Sequence, residues 1–175
     1  MEQTAKKTKI IYEGDVYAGS FYLFIGVCSL IAALCVYYFT EGLGLYYLSI
    51  GLALFTVYMI GKGSVMIFMY FSRYKYYRHH IDLNNKEIKE ERRYTRWRVL
   101  KKKKNRRRYI YTTVIGCIVA FFGVFHQQKG LIVATCIPIV LMSAIEFTVG
   151  LLTEFRLSEY LKHLHKLSQN IHSNL

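Results

Sequence analysis

Gly19 to Phe39 is a run of twenty-one residues without a charged side chain. Wound into a helix at 1.5 Å per residue, it reaches about 30 Å, the thickness of a bilayer's hydrocarbon core. A segment of this kind satisfies its backbone in lipid only as a helix, and that restricts what the rest of the chain can build. Three further apolar stretches follow: Leu45 to Phe71, Tyr109 to Phe125 and Gly130 to Leu152. Tyr37, Tyr38 and Phe39 close the first one with an aromatic belt of the type that sits at a membrane interface.

The turns Thr40-Glu41-Gly42-Leu43-Gly44 and His126-Gln127-Gln128-Lys129 leave room only for antiparallel returns. The expected fold is therefore an all-α membrane protein. Four transmembrane helices (19–39, 45–71, 109–125 and 130–152) form two antiparallel hairpins in a domain spanning 19–152. The stretch from Leu45 is longer than a bilayer needs, and Gly61-Lys62-Gly63-Ser64 is expected to break its character, so that the helix tilts or its last turns project. Pro138 removes a backbone donor and is expected to bend the fourth helix.

Between the hairpins the composition reverses. Arg73 to Arg108 holds sixteen of the twenty-four Lys and Arg against four acids, Asp82, Glu87, Glu90 and Glu91, which is +12 of the chain's net +13. Basic residues next to membrane spans stay on the cytoplasmic side, and the two tight turns contain one Lys, Lys129. Both termini and the basic block are thus expected in the cytoplasm, with the chain in a plasma or inner membrane. Asn84 and Glu87 have the spacing of a helix cap, and no Gly or Pro interrupts Glu87 to Lys104. A cytosolic helix is expected there, with a short hairpin through His80-Ile81-Asp82-Leu83 and Ile88 as the alternative. Residues 1–18 have mixed charge and suit a cytosolic or interfacial segment. Residues 153–175 form an amphipathic C-terminal helix, with Leu157, Tyr160, Leu161, Leu164 and Ile171 on one face.

Two sets of residues are candidates for function. Lys62 and Glu146 lie seventeen and sixteen residues into spans running in the same direction, so they sit at equal depth and form an intramembrane polar pair. The basic set is Arg92, Arg93, Arg96, Trp97, Arg98, Lys101, Lys102, Lys103, Lys104, Arg106, Arg107 and Arg108. It suits anionic lipid headgroups, a cytosolic protein or nucleic acid. His79-His80 and the His163, His165 pair lack metal-ligand geometry. Cys28, Cys35, Cys117 and Cys136 lie inside apolar runs, so neither metal nor cofactor is expected. Without a catalytic motif, the expectation is a non-enzymatic module. Its first form is a homo-oligomeric pore or channel lined or braced by Lys62 and Glu146. The alternatives are a membrane-anchored accessory protein that docks a partner on the basic block, and an intramembrane lipid-acting enzyme using Glu146.

Overall fold

The computed structural model describes the backbone of residues 2–79 and 85–173, with side chains for 11–72 and 88–166. Four helices account for nearly all of it: α1 (Glu2–Phe39), α2 (Leu43–His79), α3 (Asn85–Gly123) and α4 (Lys129–Ser173). No strand occurs among the described residues. The alternative turn through His80–Leu83 and the expected cap Asn84 lie outside them.

Each helix is longer than its apolar run. α1 absorbs the N-terminal segment without a break, and α2 continues through Gly61–Ser64. The basic residues from Lys86 to Arg108 share one helix with the apolar stretch after them, and the amphipathic tail continues α4. The physical reason is the same in each case. Helix formers fill the junctions, and tertiary packing on both sides outweighs the weak helix propensity of an isolated Gly. Three helices carry stretches long and apolar enough to cross a membrane: Ile11–Phe39, Leu43–Ser72 and Lys129–Lys166. In α3 the uncharged part ends with the helix at Gly123, leaving 15 residues from Tyr109 after the triplet Arg106–Arg108.

Gly42 closes the α1–α2 turn with φ +125°, a conformation that L side chains avoid, and its carbonyl accepts from Tyr46 N at 3.1 Å. Between α3 and α4, backbone bonds from Phe125 to Phe122, His126 to Gly123 and Lys129 to His126 tighten the return. Tyr37, Tyr38, Tyr46 and Tyr47 form one set of ring contacts beside the first turn, and Phe121, Phe122 and Phe125 another beside the second.

α1 packs along α2 and α3 along α4, and α2 lies on α4, giving the order α1–α2–α4–α3. Close approach depends on small residues. A Cβ on Gly63 would stand 2.7 Å from the Gly19 carbonyl oxygen, and one on Gly44 would stand 2.9 Å from the Gly130 carbonyl carbon. Two apolar cores result. Tyr22, Phe55, Met59 and Val149 form one in the half nearer the turns. Ile11, Leu157, Tyr160 and Leu164, with Val99 against them, form the other in the half nearer the termini. The tail's apolar face at Leu157, Tyr160 and Leu164 is thus covered by α1 and α3, and Ile171 lies outside the residues whose side chains are described.

Leu164 is fully buried. Leu164→Ala is expected to cost about 2–5 kcal/mol, read as a lowered melting temperature in mild detergent. Leu54→Ala, on an exposed apolar surface, is expected to leave the melt nearly unchanged. An unchanged melt for Leu164→Ala would mean that the terminal half of α4 does not pack against α1 and α3.

Candidate functional site: a buried ionic ladder and an outward basic face

The basic block reads as uniform in sequence, but winding it into α3 separates it into two faces. Glu91, Thr95, Arg98, Lys102, Arg106 and Tyr109 recur every three or four residues and turn inward. Arg93, Arg96, Trp97, Lys101, Lys103, Lys104, Arg107 and Arg108 are exposed, and Arg92 is half-buried.

The inward cations meet acids on other helices. Arg98 Nη2 donates to Asp15 Oδ2 of α1 at 2.8 Å. Arg106 Nη1 reaches both oxygens of Glu154 on α4, at 3.1 and 3.3 Å. Beyond Arg98, the Tyr12 hydroxyl of α1 donates to Glu91 Oε1 at 3.3 Å. Nearer the turns, Thr113 donates to Ser143 Oγ at 2.9 Å. Among the described residues, α1 and α3 meet through these long side chains and not by backbone contact.

The structure brings Lys62 and Glu146 together as an ion pair within one protomer. Glu146 is 1% exposed. It also accepts from the Tyr58 hydroxyl at 3.1 Å. The Lys62 ammonium stands 4.9 Å from the centre of the Tyr22 ring and 5.6 Å from that of Tyr58, so two aromatic faces cover the charge. Tyr22 is wholly buried, with its side chain in electrostatic reach of Glu146. Pro138 lies one helix face away, its ring against Gly51 of α2.

Cations outnumber acids in this interior. Lys102 lies within electrostatic reach of both Lys62–Glu146 and Asp15–Arg98. Burial, and after it the Lys62 charge, lower its pKa. Burial opposes the Arg98 charge too, but the attraction and hydrogen bond of Asp15 outweigh it and raise that pKa. Arg156 of α4 lays its guanidinium over Gly14 of α1, occupying the place where any side chain at Gly14 would stand.

Asp15, Glu154, Glu91, Tyr12, Tyr22 and Tyr58 were not singled out by the sequence reading. A signal for Asp15 does exist: Asp15 lies 24 residues before the end of α1 and Arg98 lies 25 before the end of α3, so the register argument that pairs Lys62 with Glu146 extends one layer further. Glu154, 25 residues after the start of α4, pairs instead with Arg106, 17 before the end of α3, and counting depth does not find it. Among the described residues, no three His, Cys, Asp or Glu side chains converge on a point that would hold a metal ion. No known family matches the chain, and no curated protein or solved structure is similar to it.

The arrangement can hold helices in register and present charge. Lys62→Met strands a buried carboxylate and is expected to cost about 3–5 kcal/mol, whereas Lys62→Met with Glu146→Leu regains most of that. Thermal melts of the single and double variants check this, and equal losses in both would remove the pair's role. The folded chain gives up the Lys102 proton at a lower pH than the unfolded chain does. Stability is therefore expected to climb as pH rises through the interval between the folded and unfolded values, near 10 for the latter. Lys102→Met should raise the neutral-pH melting temperature and flatten that climb.

Proposed function

We propose that this chain is a non-enzymatic, multi-pass membrane protein that anchors a rigid basic helix upright at the cytoplasmic face, where it docks an acidic partner. In this reading all four helices cross the bilayer. The 15 uncharged residues of α3 are short for a span. Arg107 and Arg108, both exposed, would extend it by running their side chains along the headgroups. The excess of Lys and Arg beside the spans puts the basic block and both termini on the cytoplasmic side.

The observation that carries the reading is the division of α3 itself. The inward cations are used to fix the helix to α1 and α4, and the outward ones are left facing solvent with no structural task. An upright helix of this kind differs from a loop lying on lipid, because most of its charge stands away from the surface.

A second reading, self-association into a pore, is favoured by one feature. An apolar groove of about 340 Å³ opens between α2 and α4, lined by Tyr47, Leu54, Phe55, Pro138 and Met142 among others. The Lys62–Glu146 pair supports this reading less, because its partners are satisfied inside one protomer.

Heparin, a polyanion that is neither protein nor nucleic acid, separates the possibilities. Inverted membrane vesicles carrying the chain are expected to retain heparin at low salt and release it as salt rises. Right-side-out vesicles should not retain it. Replacing Arg93, Arg96 and Lys101 by Gln should abolish most of the retention without changing the melt. Retention that is independent of vesicle orientation, or of these three residues, would sink the docking reading.

A further inference from the structure

We propose that the outward face of α3 is a platform for single-stranded nucleic acid, centred on Trp97. This rests on the docking reading above and assigns the partner's class. Arg93, Trp97, Lys101 and Lys104 follow one another at three- and four-residue steps, so an indole stands in a row of cations, with Arg96 beside it. Its surface is 54% exposed, and that of the adjacent Leu100 is 58% exposed. The Lys101 ammonium lies 4.8 Å from the indole centre, and the Tyr94 ring lies 5.9 Å away at a tilt of 32°. These neighbours hold the ring in place and leave more than half of it open.

The chemistry of that surface selects among polyanions. Cations in a row neutralise successive phosphates, and an exposed indole, from which the flexible Lys101 side chain can swing aside, stacks an unpaired base, which is the combination that single-strand binding uses. An acidic polypeptide satisfies the cations and leaves the indole uncovered. A duplex keeps its base faces enclosed within its own stack. An extended strand supplies both groups and can follow a straight helix.

Height argues against the membrane as occupant. With Arg108 at the inner edge of the hydrocarbon core, Trp97 lies about 16 Å and Arg93 about 22 Å further along α3. One headgroup layer takes up about 6 Å. The near end of the block thus meets lipid phosphates, while Trp97 and Arg93 stand past them by more than one Debye length at physiological salt. Asp15–Arg98 and Tyr12–Glu91 hold this far half in place against α1.

Trp97 is the chain's only tryptophan, so its emission reports this site alone. The full chain in nanodiscs of zwitterionic lipid is titrated with an oligothymidylate strand. Saturable quenching is expected, with log affinity falling against log salt by about 0.7 for each phosphate contacted. Arg93→Gln, Arg96→Gln and Lys101→Gln together should make that slope shallower by about 2. By anisotropy of a labelled strand, Trp97→Ala should weaken binding about ten-fold or more, while Trp97→Phe stays within a few-fold of the parent. All these positions are exposed, so the melt should hold. The proposal is overturned by absence of quenching, by full affinity in Trp97→Ala, or by polyglutamate displacing the strand at equal charge. It is also overturned if anionic-lipid nanodiscs shift the Trp97 emission without any strand, which would make the membrane the occupant. Heparin retention combined with any of these failures leaves docking standing and removes nucleic acid; loss of both removes the two readings together.

Discussion

Taking a carboxylate and an ammonium out of water costs several kcal/mol for each before any attraction is recovered, so a buried pair must be well placed or it destabilises the fold. This chain buries such a pair where its two hairpins meet, Lys62 of α2 against Glu146 of α4. The contact does what apolar packing cannot. Glycines and aliphatic side chains allow two long helices to slide by a turn at modest cost, because one small residue replaces another in the same groove. A slide that separates Glu146 from both Lys62 and Tyr58 leaves a charge in a nearly dry interior. The register of α2 on α4 is thereby fixed at one level, and the Asp15–Arg98 and Arg106–Glu154 contacts hold the flanking helices at their own levels.

The layering follows from helix length. Helices of 37 to 45 residues are about twice as long as a bilayer's hydrocarbon core is thick, so in the proposed membrane placement half of each would lie in a different solvent. The half nearer the turns exposes Phe24, Leu54, Val57 and Phe122 on its outside and needs no polar surface there. The half nearer the termini needs a polar exterior and an apolar centre, which Ile11, Leu157, Tyr160 and Leu164 supply. The polar ladder runs alongside both cores, from Lys62 against Tyr22 to Tyr12 next to Ile11.

How much of this could be read from residues alone depended on whether the buried face was apolar. Leu157, Tyr160 and Leu164 stand out by their spacing, and the structure buries all three. The turns at Gly42 and at His126–Gln128 follow from composition. Equal depth on parallel spans finds Lys62 and Glu146. By contrast, the inner face of α3 is Glu91, Thr95, Arg98, Lys102 and Arg106, which carries no hydrophobic period at all. A helix whose buried side is charged looks solvated throughout, so the block read as a loop with a helix inside it. The mixed charges of residues 1–18 hid the continuation of α1 in the same way, because Asp15 looks like a surface acid until Arg98 is placed opposite it.

The same helical period explains how one dense run of charge can serve two ends without conflict. Sixteen cations on a flexible loop would repel one another and stay extended, giving neither a fixed surface nor a fixed height. Wound at 3.6 residues per turn, Arg98, Lys102 and Arg106 enter the interior, where Asp15 and Glu154 neutralise the first and the last and the exchange of water for a charged partner fixes their positions. The intervening residues are then carried outward at set spacing on a frame that their inward neighbours have made rigid. Removing the inward acids would therefore harm presentation as well as stability. Asp15 lies inside the bundle and touches no solvent-facing cation, yet the orientation of Arg93, Trp97 and Lys101 depends on it through Arg98.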